Sequence, residues 1–440
     1  KKTHIQDNPS GTNARFVGNQ IIVNTDQELV EEALTGIDFE FGWKLDFADD
    51  FTDNTRIYGG AYHFDGDRAE DVSGWRSRLA SDINEDMQIG ARFQRDDVRG
   101  SQGFLDITVR FPFGQKKSFK GDGAGDDGIH INNSSATTLS DITSINATDE
   151  GIAVSYSDGN SHILDIQNVT ANNNGDGGIN VATQSASQLN FTALNNTLNS
   201  NFDEGLRIDA GTGGYVYATI IGNTAKDNDG ETQAVGIQTT ASGVGSEIVS
   251  IIRGNTAQDN DQMDIYVYAS TGAYVSTTIE NNTIGEPSTD FGILLLGNTT
   301  TSTANGTIRN NTITNTTASG IQIRSNNNTT VNADIYDNNI EGNSGRGIYV
   351  YSQVNGTVDT NIYNNTVSNN GYHGFDIQST DNAQLTATIT NNTSNNNSGG
   401  WRHGFYIHAD LASTSTVTLN NNTASGNDRD GFLIRSTGTS

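Results

Sequence analysis

The 440-residue sequence contains no cysteine and only three prolines. The absence of cysteine excludes a disulfide scaffold, a thiolate zinc site and a cysteine nucleophile. Apolar residues make up only 33% of the chain, and no apolar run approaches the roughly 18 residues of a membrane-spanning helix. Basic residues are scarce as well, because 24 lysines and arginines face 52 acidic residues and leave a formal charge of −28. Such a surface repels nucleic acids, so we expect no nucleic-acid partner.

Asparagine is distributed unevenly along the chain. Residues 1–120 contain six asparagines, whereas residues 121–440 contain 48. This shift predicts a domain boundary near residue 120, with an N-terminal extension over 1–36, an antiparallel sheet over 37–120 and a repeat domain over 121–440. In the extension, a capping Asp26, the segment 27–34 and Gly36 together predict one short helix.

Apolar and polar residues alternate strictly after the extension. Ile37, Phe39, Phe41 and Trp43 are each followed by a polar residue or glycine, which is the pattern of an amphipathic strand. Similar alternation and acidic or glycine-rich turns predict an antiparallel β-meander of five strands, over 37–47, 57–65, 72–81, 87–94 and 104–113.

Several segments of this meander resemble the last strands of inverse-autotransporter barrels of the intimin and invasin type: Gly59-Gly60-Ala61-Tyr62, Ser73-Gly74-Trp75-Arg76 and Arg110-Phe111-Pro112-Phe113-Gly114. The resemblance implies a barrel in the outer membrane of a Gram-negative bacterium, followed by an exported adhesive passenger. Five strands are too few to close a pore, since single-chain bacterial barrels have about eight or more. Missing upstream strands, closure by several chains and a soluble sheet therefore stay open as alternatives.

The second part of the chain is a repeat. A glycine followed by an apolar-x-apolar triplet recurs every 23 to 31 residues, and we call these positions the anchors: Gly128, Gly151, Gly178, Gly205, Gly236, Asp264 (a variant), Gly292, Gly320, Gly347, Gly374, Gly404 and Gly431. About 27 residues cannot bury an apolar face alone, so the repeats must stack. The prediction is an all-β protein: a right-handed parallel β-helix of about twelve coils, preceded by the barrel-like antiparallel β-meander. Such solenoids resemble the pectin-lyase-like superfamily.

A second column recurs once per repeat, mostly in Asn-Asn-Thr or Gly-Asn-Thr. Asparagine tolerates left-handed backbone geometry, and its amide both donates and accepts hydrogen bonds. Stacked turns therefore predict a ladder of amide side chains: Asn196, Asn223, Asn255, Asn282, Asn311, Asn338, Asn365, Asn392 and Asn422.

Catalytic and metal-binding motifs are sparse. Asp126 and Asp127 resemble the paired aspartates of polygalacturonases, which protonate the leaving oxygen and activate water, but the other motifs of that family are missing. Asp122, Asp126 and Asp127 are also candidates for calcium, whose hard oxygen ligands suit such loops; otherwise we expect no cofactor. The histidines His130, His373, His403 and His408 are expected to stand too far apart along the solenoid for one transition-metal site.

An outward stripe of aromatic and apolar side chains is the more informative feature. Positions two and four after an anchor point away from the core, because side chains alternate along a strand. We call the following residues the aromatic stripe: Tyr266, Tyr268, Leu294, Leu296, Tyr349, Tyr351, Tyr406 and His408. Aligned on one face, they are expected to bind sugar rings or another protein.

These observations favour a non-catalytic, extracellular or cell-surface protein that is structural and adhesive. Its expected partners are copies of itself, in oligomers or filaments, or a surface polysaccharide, with outer-membrane association through the N-terminal strands. The alternative is a polysaccharide lyase or hydrolase that acts in the groove of the β-helix.

Overall fold

A computed structural model describes the chain over residues 2–5, 13–17, 20–24, 29–32, 35–44, 53–65, 71–84, 87–97, 100–109, 127–230, 234–286, 291–410 and 412–437. The chain divides into two compact units, residues 1–117 and residues 118–440. The described residues form strands and turns and contain no helix, so none of them forms a helix that could span a membrane.

The described residues of the first unit form nine strands: β1 (Lys2–Ile5), β2 (Asn13–Val17), β3 (Gln20–Asn24), β4 (Leu29–Glu32), β5 (Thr35–Lys44), β6 (Asp53–Asp65), β7 (Val72–Asn84), β8 (Met87–Asp96) and β9 (Gly100–Val109). Strands β5 to β9 form a five-stranded antiparallel sheet in chain order, which is the predicted meander. Strands β1 and β4 pair with each other, as do β2 and β3.

The helix predicted before Gly36 is wrong. Leu29–Glu32 is a strand, and it pairs antiparallel with Lys2–Ile5, so that Val30 lies opposite His4. The capping pattern and the helix-forming residues express only a weak local preference, which long-range backbone pairing overrides.

The two faces of the five-stranded sheet differ in chemistry. One face presents Ile37, Phe39, Phe41 and Trp43, whose side chains are 52 to 76% exposed. On the opposite face the Arg76 guanidinium lies 2.9 Å from carboxylate oxygens of both Asp38 and Glu40, and Tyr62 donates to Asp96 at 3.0 Å. The paired charges therefore share the more sheltered face, and the large apolar side chains face outward.

The second unit winds as a right-handed parallel β-solenoid of about eleven turns. Each turn contributes one strand to each of three sheets. The anchor sheet has twelve strands, and each strand pairs in parallel with the strand one turn later: Ile129–Asn132, Ile152–Tyr156, Ile179–Thr183, Leu206–Ala210, Val235–Ser242, Met263–Ser270, Phe291–Asn298, Ile321–Ser325, Ile348–Ser352, Phe375–Ser379, Phe405–Asp410 and Phe432–Thr437.

The second sheet has eleven strands: Ala136–Ser140, Ser161–Gln167, Gln188–Leu194, Tyr215–Ile221, Glu247–Arg253, Tyr274–Glu280, Thr303–Arg309, Thr330–Tyr336, Thr357–Tyr363, Gln384–Thr390 and Thr414–Asn420. The third sheet has short strands, and single bridges through Thr197 join its two parts: Thr143–Ile145, Thr170–Asn172, Thr224–Lys226, Thr256–Gln258, Thr283–Gly285, Thr312–Thr314, Asn339–Glu341, Thr366–Ser368, Thr393–Asn395 and Thr423–Ser425.

The core consists of columns of identical or similar side chains. In the anchor sheet the residue directly after the anchor is buried from Ile152 to Phe405, for example Ile179, Ile321 and Ile348 with no exposed surface, whereas Phe432 on the last coil is exposed. In-register stacking also aligns the rings of Phe375 and Phe405, whose centroids lie 4.4 Å apart with planes 7° apart. Because each coil fills the same interior as the next, aliphatic residues of similar size recur at the same positions.

The turns that precede the amide column require a left-handed backbone. The residue before each ladder asparagine has a positive φ, for example 55° at Asn195, 57° at Asn281 and 56° at Asp337, and glycine occupies the same position at Gly222. Asparagine, aspartate and glycine are the residues that adopt this conformation most readily. The Asn-Asn and Gly-Asn pairs of the sequence follow from this geometry.

The anchor glycines are fixed by close packing between coils. A β-carbon on Gly178 would lie 2.6 Å from the carbonyl oxygen of Gly205 and 2.8 Å from the side-chain Nδ2 of Asn201. The preceding Gly177 has only ordinary contacts, the nearest at 3.4 Å. Backbone atoms cannot move aside easily, so the two adjacent glycines differ in what they tolerate.

We predict that Gly178→Ala lowers the free energy of unfolding by about 1–3 kcal/mol, as overpacking does. Gly177→Ala is the matched control, with a change within about 0.5 kcal/mol. Denaturant unfolding of both variants measures the difference. Equal effects would show that the close approach at the anchor does not constrain the coil.

Candidate functional site

Nine asparagine side chains form a continuous ladder along the solenoid. The Nδ2 of Asn196 donates to the Oδ1 of Asn223 at 2.9 Å, and every later pair repeats this bond at 2.9 to 3.1 Å. Each Oδ1 also accepts the backbone N–H of the preceding ladder residue, as Asn338 does from Asn311 at 3.0 Å. The ladder contains all nine predicted residues: Asn196, Asn223, Asn255, Asn282, Asn311, Asn338, Asn365, Asn392 and Asn422.

A second ladder, which the sequence reasoning missed, runs five residues later in the chain. Its members are Asn174, Asn201, Asn228 and Asn260, then Asn343, Asn370, Asn397 and Asn427, joined by the same type of bond at 2.7 to 3.2 Å. The spacing of five residues after Asn196, Asn223 and Asn255 is visible in the sequence. It was obscured because asparagine is abundant throughout the turns.

Asp264 ends the first part of this second ladder. It occupies an anchor position where the other repeats have glycine, and its side chain is fully buried. Its carboxylate accepts a bond from Asn260 Nδ2 at 2.8 Å and another from the backbone N–H of Gly285 at 3.0 Å. Burial raises the pKa of Asp264 well above its ordinary value, despite these bonds.

The aromatic stripe occupies the same register positions on four coils of the anchor sheet, and Gln322 with Arg324 and Asp376 with Gln378 hold these positions on the coils between. Tyr266 and Tyr268 stack with ring centroids 5.6 Å apart, and Tyr349 and Tyr351 repeat this arrangement at the same distance. The ring centroids of Tyr406 and His408 lie 5.8 Å apart. Leu294 and Leu296 lie in register with Tyr266 and Tyr268 of the preceding coil. All members except Leu294 are half-buried.

The expected exposure of Leu294 is wrong, because only 7% of its surface reaches solvent. It lies in register between Tyr266 and Gln322, whose long side chains flank it on both neighbouring coils. Side chains at the second position after an anchor also contact the segment before the anchor, and Asp376 is fully buried there against Arg346. Alternation along the strand therefore gave the outward direction but not the exposure.

A cluster of histidine, tyrosine and arginine adjoins the C-terminal part of the stripe. The expectation that His373 and His403 stand far apart is wrong: their rings stack 5.2 Å apart, and Tyr406 stacks on His373 at 4.7 Å. Their separation of 30 residues is one turn of the solenoid. Burial lowers the pKa of His373 to about 3, so this ring is neutral, and its Nδ1 accepts the backbone N–H of His403 at 3.0 Å.

Arginines cover the tyrosine rings of this cluster. The guanidinium of Arg346 lies 4.1 Å from the ring centre of Tyr349 and 4.6 Å from that of Tyr372. The guanidinium of Arg402 also lies over the Tyr372 ring, 3.4 Å from its centre. These cation–π contacts hold flat side chains side by side along the face.

An acidic cluster lies before the anchors of the first coils. Two groups of carboxylates each bring three oxygen ligands within 4.8 Å of one another: Asp127, Asp149 and Glu150, and Asp176, Asp203 and Glu204. Asp127 also lies 2.7 Å from Nδ1 of His130. Carboxylate groups of this kind have the donor chemistry that calcium prefers. The other predicted acidic residues, Asp122 and Asp126, lie outside the described residues.

Burial changes the titration of these carboxylates. It raises the pKa of Glu150 to about 7 and that of Glu204 to about 7, although Arg207 near Glu204 opposes the second shift. Burial together with the neighbouring Asp203 raises the pKa of Asp176 to about 6. The cluster can therefore hold protons near neutral pH, which is a requirement for an acid catalyst.

The comparisons with known proteins bear on the solenoid alone. A family model described as "Right handed beta helix region" matches residues 235–363. This stretch is similar to right-handed β-helices. No curated protein matches the chain, and no solved structure does. The family match and the geometry agree on a right-handed β-helix, and the match carries no indication of an adhesive or a catalytic role.

We predict that Asn311→Ala or Asn365→Ala lowers the free energy of unfolding by about 1–3 kcal/mol, because buried donors of the neighbouring coil lose their acceptor. Asn339→Ala is the matched control, since this exposed asparagine lies outside both ladders and should cost at most about 0.5 kcal/mol. Asn327 is less suitable, because its φ of 53° penalises alanine by itself. Small, equal losses at Asn311 and Asn339 would mean that the ladder does not stabilise the solenoid.

The acidic cluster predicts that stability falls as pH rises. The folded-state pKa values of Glu150 and Glu204, about 7, exceed the ordinary 4.5, so the folded state holds more protons between these values. The stabilisation is complete below pH 4.5 and is lost as pH rises through 7. Chemical unfolding of wild type, Glu150→Gln/Glu204→Gln and the control Glu247→Gln between pH 5 and pH 8 measures it. An unchanged slope in the double variant would contradict the assignment.

Proposed function

We propose that the protein is a non-catalytic, extracellular or cell-surface β-helix that is structural and adhesive and binds surface polysaccharide through the aromatic stripe. The observation that carries the proposal is the set of stacked rings on the anchor sheet and beside it: Tyr349 stacks with Tyr351 on one coil, and Tyr406 stacks with His373 of the preceding coil. The flat faces of tyrosine rings suit the apolar faces of sugar rings, and their hydroxyl groups supply hydrogen bonds.

The scaffold beneath the stripe supports this role. Two amide ladders and continuous parallel pairing fix the coil spacing, which is about 4.8 Å for paired strands. Side chains on such a face need little ordering when they bind, and preorganisation of this kind favours affinity. Adhesion to an extended polymer requires a long face with repeated contacts rather than one deep pocket.

The N-terminal sheet adds a second part to the proposal. Its outward apolar face, with Phe39, Phe41 and Trp43 more than half exposed, is suited to an apolar environment, and the paired charges lie on the other face. We propose outer-membrane association of a Gram-negative bacterium through this sheet. Self-association of the rods is the alternative use of the same exposed apolar surface.

A specific observation favours one other function. Glu150 and Glu204, whose pKa values are raised to about 7, each lie within 4.8 Å of two further carboxylates, and glycoside hydrolysis uses such a pair of carboxyl groups. The second candidate is therefore a polysaccharide hydrolase or lyase that acts at the acidic cluster. It predicts turnover that is lost in Glu204→Gln.

We predict that the protein sediments with insoluble polysaccharide, tested on cellulose, chitin and calcium alginate beads. The double variant Tyr349→Ala/Tyr351→Ala should bind about tenfold more weakly to the retained polymer, a loss of about 1.4 kcal/mol. Tyr217→Ala, an exposed tyrosine on the second sheet, is the control and should bind as wild type does.

Equal binding by the double variant, or no binding to all three polymers, would contradict the proposal. Release of reducing ends or unsaturated products during the same incubation, abolished by Glu204→Gln, would establish the enzyme instead. Light scattering of the unbound protein separates self-association from polymer binding.

A further inference from the structure

A row of charged and aromatic side chains runs along the outer edge of the second sheet, away from the aromatic stripe. Arg253 lies 3.8 Å from a carboxylate oxygen of Glu280, and Arg309 Nε donates to the other oxygen at 2.7 Å. Arg309 Nη1 also donates to the hydroxyl of Tyr336 at 3.1 Å. The ring of Tyr336 stacks on that of Tyr363, with centroids 4.6 Å apart and planes 7° apart.

The row changes character immediately after Tyr363. The residue in register on the next coil is Thr390, which is much smaller than a tyrosine. One face of the Tyr363 ring therefore contacts Tyr336, and the other face borders a groove of 470 Å³. The groove is lined by Asp334, Asn361, Tyr363, Asn364, Thr388, Thr390 and Asn391.

Polar side chains line the groove beside the Tyr363 ring. Asn361 Nδ2 donates to Asp334 Oδ1 at 2.9 Å, which fixes both side chains at the lining of the groove. Asn364 and Asn391 project from left-handed turns, each with a φ of 57°. Amide and carboxylate groups offer donors and acceptors in fixed pairs, the pattern that neighbouring hydroxyls of a sugar require.

A second hollow of 300 Å³ continues the groove along the solenoid axis, and the two share Asp334 and Asn361. In this hollow Asn332 Nδ2 donates to Asn305 Oδ1 at 2.7 Å, and Asn305 Nδ2 donates to the hydroxyl of Tyr274 at 2.9 Å. From Ser276 to Thr388 the two hollows cross five coils, about 19 Å at the usual strand spacing. This length suits a short oligosaccharide rather than a single sugar.

We infer that this groove is a separate binding site for a neutral oligosaccharide, with one sugar ring stacked on Tyr363. Neutral sugars are favoured over acidic ones because Asp334 and Asp359 line the second hollow and the chain carries a formal charge of −28. The inference rests on the proposed recognition of glycans but does not depend on the aromatic stripe, which lies on another sheet.

Titration calorimetry with cellohexaose, chitohexaose and mannohexaose tests the site. At least one of these neutral hexasaccharides should bind with a dissociation constant of about 1 mM or tighter. Tyr363→Ala removes the ring and Thr390→Tyr fills the groove, so each should weaken binding about tenfold, or by about 1.4 kcal/mol. Tyr217→Ala, on the same sheet but outside the groove, is the matched control and should leave the affinity unchanged.

Two further arms separate this site from the stripe and from other ligands. Tyr349→Ala/Tyr351→Ala removes the stripe, so the hexasaccharide binding that remains in this variant should depend on Tyr363, and its loss when Tyr363→Ala is added confirms two sites. If hexasaccharide binding depends on Tyr363 but the stripe variant sediments with polymers as wild type does, only the proposal for the aromatic stripe is overturned. The groove inference is overturned if no neutral hexasaccharide binds, if Tyr363→Ala binds as wild type does, or if hexagalacturonate or choline binds more tightly than all three.

Discussion

In-register parallel pairing between successive coils is the constraint on which the rest of the second unit depends. Each residue of the anchor and second sheets lies beside its counterpart one coil later, so every position becomes a column. Each residue in a column must therefore pack favourably against the same type of residue on the next coil. Aliphatic side chains stack inside, glycines permit close approach at the anchors, and amides bond to amides in the turns. The Asn-Nδ2 to Asn-Oδ1 bonds extend this pairing into the turns, where the backbone alone would leave buried donors without acceptors.

The same constraint leaves the outward positions free to carry function. Outside the core and the ladders, a residue is limited only by its neighbours above and below. The turns before the first anchors carry an acidic region near Glu150 and Glu204, and the anchor sheet carries an aromatic region near Tyr349 and Tyr406. The second sheet uses it for an ion-paired row that ends at Tyr363. Different chemistries can therefore occupy one regular scaffold at different heights.

The periodic features could be predicted from the sequence, and the features that depend on neighbouring coils could not. The anchors and the nine ladder asparagines recur with the backbone period, so their geometry follows from stacking. The burial of Leu294 depends on Tyr266 and Gln322 beside it, and the contact of His373 with His403 depends on counting 30 residues as one turn. The strand at Leu29–Glu32 depends on a partner at residues 2–5 that no local pattern indicates.

Hydrogen–deuterium exchange of backbone amides tests the central claim most directly. The N–H groups of Asn311 and Asn365 lie in surface turns, yet each donates to a buried Oδ1 of the next coil, at 3.0 and 2.9 Å. If the coils are held by these ladders, both amides exchange as slowly as those of the core residues Ile308 and Ile362. Exchange at Asn311 and Asn365 as fast as at the exposed turn residue Asn327 would contradict the account.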